Sequence, residues 1–144
     1  MAKNITDRRI LKAIYDRYYL DFISFEEDKS SRSTKIYVPI DCKQIANDLD
    51  IDPEIIFGRL YYHLDKKHGY TQDDGGKVNL FALKIGEDMH TVHFPLLGAV
   101  LAEYEQSYYR YMLPIGISIL ALTLSSVTFI QQAGEFLRSL IIGG

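Results

Sequence analysis

From Tyr111 to Gly134 the chain runs for 24 residues without a charged side chain. No other feature constrains its fold as much. A helix over Leu113–Ile130 (LPIGISILALTLSSVTFI) rises about 1.5 Å per residue and so spans about 27 Å, close to the hydrocarbon thickness of a bilayer. Tyr104, Tyr108, Tyr109 and Tyr111 precede the run, where an interfacial aromatic belt sits. Arg110 and Arg138 bracket it and can snorkel towards head groups. Pro114 is expected near the start of the span, where a helix tolerates it. Gly116, Ser118, Thr123, Ser125, Ser126 and Thr128 keep the run only moderately hydrophobic. The competing reading is a buried oligomerisation helix, the common core of a soluble oligomer. A domain this small has too little surface to cover such a helix on all sides, so the lipid bilayer is its expected surroundings.

The other residues have a different character. Residues 1–111 hold 15 of the 16 basic and 18 of the 19 acidic side chains, enough for one compact domain with a C-terminal appendage. A 47% hydrophobic composition excludes wholesale disorder. The mean hydropathy of −0.07 excludes a polytopic membrane protein. The single cysteine, Cys42, can form neither an intramolecular disulfide nor a multi-thiolate zinc site, which favours a reducing compartment. The N-terminal residues lack the apolar core of a secretory signal. A single-pass membrane protein with its N-terminal domain in the cytoplasm is therefore expected.

Thr6 is a candidate N-cap for a first helix, with Asp7 meeting its positive end. Ile10, Leu11, Ile14, Tyr15, Tyr18 and Phe22 mark its apolar face. Glu26–Lys35 is polar and reads as an exposed loop, and Ile36–Ile40 as a short β-prone stretch that Pro39 confines to an edge or a strand end. Asp41 can cap a short helix burying Ile45, Ala46 and Leu49. Asp52 and Pro53 then open a second helix, on which Ile56, Leu60 and Leu64 recur and which Gly69 is placed to end. Tyr70–Gln72, the turn Asp73-Asp74-Gly75-Gly76 and Lys77–Ile85 are expected to form one hairpin. Met89–Phe94 fits either strand or loop.

The phrase Gln44-Ile45-Ala46-Asn47-Asp48-Leu49-Asp50-Ile51-Asp52-Pro53, with an Ala inside the first helix and an apolar residue in the turn, resembles the helix-turn-helix pattern. With the flanking helix, strand and hairpin it resembles a winged helix-turn-helix domain. The fold class implied is mainly α with a small β-hairpin, followed by one transmembrane helix. Its divisions are a winged helix-turn-helix domain over 1–93, a connecting amphipathic helix over 94–111, the membrane helix over 112–133 and a short tail over 134–144.

The resemblance implies DNA contact, and hence transcription regulation, through the second motif helix and the wing. The corresponding residues are Arg59, Tyr62, His63, Lys66 and Lys67, with Lys77 near the wing. Arg59 would reach a guanine edge and the lysines would meet phosphates. Acidic residues at Asp48, Asp50, Asp52, Asp73 and Asp74 oppose this, so a monomer should bind weakly unless dimerisation or tethering raises its effective concentration. The alternative is an anchored adaptor, in which the winged helix makes protein contacts within a membrane complex.

Pro95 is expected to open the connecting helix through Leu96, Leu97, Val100, Leu101, Tyr104 and Tyr108, packed on the domain or in a dimer. Within the apolar run, Ser118, Ala121, Ser125 and Thr128 align on one side and form a candidate homodimer face. The terminal FLRSLIIGG can lie in the membrane interface.

Other motifs lack essential parts. Asp48-x-Asp50-x-Asp52 has Pro53 where a calcium loop needs glycine and Arg59 at its twelfth position. His63, His68, His90 and His93 have no supporting third ligand. Cys42 beside Asp41, near a helix start, is a site where the thiol pKa can fall, but it has no catalytic His–Asp constellation. No set of residues supplies a nucleophile, base and oxyanion donor, so no catalytic residue, metal or cofactor is assigned and a non-enzyme is expected.

Overall fold

The structure is a computed structural model and describes residues 5–144. Helix α1 (Asp7–Ser24) begins at Thr6, whose hydroxyl accepts from the Arg9 N–H at 3.4 Å. It buries Ile10, Leu11, Ile14 and Tyr18. Strand β1 (Tyr37–Pro39) leads into α2 (Cys42–Leu49). Asp41 caps α2 by accepting from the Lys43 N–H at 2.8 Å, while its own N–H donates to the Tyr18 hydroxyl at 2.8 Å. Asp50 ends the helix in the left-handed region (φ 54°), where its N–H closes on the Ala46 and Asn47 carbonyls. Asp is one of the few non-glycine residues that accept this backbone.

Asp52 caps α3 (Pro53–Gly58) through the Glu54 N–H at 2.8 Å. The helix continues through a π-helical segment (Arg59–Leu64) into α4 (Asp65–His68). Ile56, Leu60 and Leu64 are fully buried along it, as their four-residue spacing requires. Gly69 ends it with extended backbone (φ −67°), not in the left-handed state expected of a C′ glycine. Here glycine is needed for close approach, since a Cβ at this position would lie 2.7 Å from the Asp65 carbonyl oxygen.

The expected single hairpin over residues 70–85 is two. Strands β2 (Tyr70–Thr71) and β3 (Lys77–Val78) pair with each other. Strand β4 (Phe81–Ile85) instead pairs with β5 (Asp88–His93), and β5 pairs with β1, giving an antiparallel sheet of order β1-β5-β4. The break at Asn79–Leu80 has a physical cause. The Asp65 carboxylate accepts from Asn79 Nδ2 at 2.9 Å and from the Phe81 N–H at 3.1 Å, drawing the chain onto the helix while Leu80 enters the core. The segment that fitted strand or loop is thus the central strand, with Val92 opposite both Val38 and Phe81.

Helix α5 (Phe94–Ile142) starts at the end of β5. His93 acts as its N-cap, Nδ1 accepting from the Leu96 N–H at 3.1 Å. Phe94 stacks on Tyr15 and Phe22. With Leu97, Val100 and Leu101 it closes the core, and the compact N-terminal unit extends to Glu105.

The second unit, Gln106–Gly144, is helical through Ile142. Pro114 consequently lies inside a helix and not at the start of one, because α5 is already formed upstream of it. The best eighteen-residue window of α5 has a mean hydropathy of 2.0 and none of it is buried. The chain thus has one helix long and apolar enough to cross a membrane. Arg110 and Arg138 are separated along it by about 42 Å of helical rise, close to the thickness of a bilayer with its head groups.

Candidate ligand-contact face

The continuous helix of α3, the π-helical segment and α4 sorts the six residues of the expected DNA-contact set onto two faces. Tyr62 and Lys66 turn towards the β2–β3 hairpin and, with Lys77, line an open groove of about 490 Å³. Tyr61, Tyr70, Thr71, Asp65 and Asn79 complete its walls. The hairpin positions Lys77 opposite Thr71, and Tyr62 is 71% exposed. Asp65 is the one acidic side chain lining this groove, and both its oxygens are already occupied by Asn79 and Phe81. Among the described residues, no carboxylate pairs with Lys66 or Lys77. The groove therefore offers two lysines without an ion-pair partner beside aromatic faces.

Arg59, His63 and Lys67 form the second face, at four-residue steps along the helix. Asp7, in the first turn of α1, sits against it with its side chain only 12% exposed. Asp7 Oδ1 accepts from Arg59 Nε at 3.1 Å and from Arg59 Nη2. Its Oδ2 lies 3.3 Å from His63 Nε2 and accepts from the Tyr104 hydroxyl at 3.4 Å. Lys67 Nζ donates to that hydroxyl at 2.7 Å and sits 5.0 Å from the ring centroid. This hydrogen bond is the main cause raising the Lys67 pKa above its ordinary value. The His68 ring meets Tyr104 edge-on with Nε2 buried, and desolvation, reinforced by Lys67, lowers its pKa.

Arg59 is thus held by a carboxylate and not left free for a base edge. From the sequence, Asp7 is a helix-start charge, and Tyr104 belongs both to the aromatic belt and to the apolar series of the connecting helix.

Cys42 lines a separate cavity of about 360 Å³ with Asp41, Lys43, Pro53, Glu54, Phe57 and His90. The thiol is a buried one, and its pKa lies above the ordinary value. Burial pushes it up, and the nearby Asp41 charge adds to the rise, outweighing the helix start. His90 adopts a left-handed backbone (φ 51°) at the cavity wall and its carbonyl accepts from the Ile40 N–H. Among the described residues, no three His, Cys, Asp or Glu side chains gather as a metal ion requires.

Along the apolar part of α5, the small-residue face keeps its hydroxyls for its own backbone. Ser118 donates to the Pro114 carbonyl at 2.7 Å, Ser125 to Ala121 at 2.8 Å and Thr128 to Ser125 at 2.9 Å. Such internal satisfaction lets polar side chains face lipid at low cost.

Comparison of the chain with models of protein families, with curated proteins and with solved structures finds no match.

Proposed function

We propose that the chain is a membrane-anchored winged helix-turn-helix protein whose cytoplasmic domain binds duplex DNA as a transcriptional regulator. The order α1, β1, α2, α3, β4, β5 and the sheet order β1-β5-β4 resemble the winged-helix arrangement, with β2–β3 as an additional hairpin between the second motif helix and the sheet. The exposed apolar helix supports the anchor.

One observation carries the DNA reading: Tyr62, Lys66 and Lys77 converge on one groove, and both lysines lack a carboxylate partner among the described residues. Charge complementarity calls for an anionic ligand, and a polynucleotide supplies phosphates for the lysines together with surfaces for the tyrosines. The acidic balance of the domain leaves binding dependent on these few cations. Anchoring or pairing of two copies would offset this by raising effective concentration.

The test is fluorescence anisotropy of labelled duplex DNA against the full chain in lipid nanodiscs, from about 50 to 200 mM salt. Lys66→Ala and Lys77→Ala should each weaken binding across all sequences and reduce the salt slope by about one. Salt-independent or absent binding, with a partner protein recovered by crosslinking to Tyr62-labelled chain, would replace this reading with the adaptor.

A further inference from the structure

The stripe formed by Arg59, His63 and Lys67 has the composition of a phosphate-contact surface, yet Arg59 and Lys67 already donate to partners within the chain. Asp7 takes both Arg59 donors on one carboxylate oxygen and faces His63 with the other. The Tyr104 hydroxyl ties Lys67 to the same cluster. The covering groups come from the first turn of α1 and from α5, whereas Arg59, His63 and Lys67 lie on the helix that also presents Lys66 and Tyr62 to the groove. These side chains are not sealed in: those of Arg59 and His63 are 36% and 53% exposed. An ion pair at that exposure is weak, because water screens it. A polyanion can compete for it.

We propose that Asp7, seconded by Tyr104, is an autoinhibitory stand-in for a DNA phosphate, and that displacing it adds Arg59, His63 and Lys67 to the contact surface. The inference rests on the DNA reading of the groove. Asp7 lies in the opening turn of its helix, a part of a helix that frays more readily than its middle. When the turn opens, the carboxylate leaves and Arg59 regains its fork of donors for a phosphate or a guanine edge. In the closed form Arg59 is held by Asp7, and the open form frees its guanidinium to act beside Lys66, Lys67 and Lys77. Each additional phosphate neutralised steepens the salt dependence.

The experiment compares the full chain in nanodiscs with Asp7→Asn, which keeps the Thr6 cap, and with Tyr104→Phe, which leaves the helix start untouched. Circular dichroism and thermal melting check that each variant is folded. Asp7→Asn should tighten duplex binding about tenfold at about 50 mM salt and steepen the salt slope by about one. Tyr104→Phe should shift both in the same direction by less. Arg59→Ala in the Asp7→Asn background should remove most of the gain.

Wild-type and variant chains that bind DNA with the same affinity and slope would overturn the autoinhibition while leaving the groove reading intact. Should Asp7→Asn fail to fold, an unchanged Tyr104→Phe has the same force. Failure of every folded form to bind, Asp7→Asn included, would overturn both.

Discussion

At the scale of single residues, the chain uses carboxylates mainly as internal acceptors. Asp41 and Asp52 satisfy helix-start N–H groups, Asp65 sets where β4 begins, and Asp7 holds Arg59. His93 has a related role, but as a neutral imidazole. Its Nδ1 can accept from the Leu96 N–H only while unprotonated. Burial lowers its pKa from the ordinary 6.5, and burial lowers His68 in the same direction. Below about pH 6.5 the unfolded chain therefore binds protons that the folded chain resists. Stability should be full above that pH and fall as the pH drops towards the folded-state values. Melting temperatures measured from pH 8 to pH 5 check this. His93→Asn, which keeps an acceptor at the cap, should flatten the decline even if it lowers the melting temperature throughout. A profile that rises on acidification would contradict the assignment.

At the scale of elements, local chemistry was legible and side-chain bridges were not. The burial of Ile56, Leu60 and Leu64 followed from their spacing, and the caps Thr6, Asp41 and Asp52 followed from residue type and position. The division into two hairpins was hidden because it depends on Asp65 reaching Asn79 and Phe81 across fourteen and sixteen residues. The Asp7–Arg59 pairing spans 52 residues and leaves no local trace. Half of the residues expected to contact DNA, Tyr62, Lys66 and Lys77, line one groove. The other half turns to Asp7 and Tyr104, because residues one position apart on a helix face different neighbours.

The β4–β5 turn provides a test at this scale. Gly86 has φ +59°, and a Cβ there would lie 2.5 Å from Ser33 Oγ, the same hydroxyl that accepts from the Glu87 N–H. Gly75 has φ +86° but open space around its Cβ position. Alanine at Gly75 should cost about 1–2 kcal/mol from the left-handed backbone alone. Alanine at Gly86 should cost more, because Ser33 must also move. Denaturant midpoints of the two variants decide it, and an equal or smaller loss at Gly86 would show that the Ser33 contact is unimportant.

At the scale of the whole molecule, the chain consists of a domain with an ordinary apolar core and a helix without one. The core gathers Ile10, Leu11, Ile14, Leu60, Leu64, Phe81, Val92 and Phe94 away from water. From Tyr111 to Gly134 the same logic has no protein partner, and Leu122, Phe129 and Ile130 stand about 70% exposed. At about 25 cal/mol per Å² of apolar surface, leaving this helix in water forfeits tens of kcal/mol, far beyond the usual net stability of a domain of about 5–15 kcal/mol. Some apolar phase must cover it. Hydroxyls bonded back to their own helix and arginines spaced to reach both head-group layers match lipid.

The most direct measurement is fractionation of cells expressing the full chain, followed by washing of the membranes with alkaline carbonate. The chain should remain in the pellet and enter solution only with detergent. Recovery in the carbonate supernatant as a monodisperse oligomer, with no amphiphile present, would mean that protein covers the helix and that the anchor does not exist.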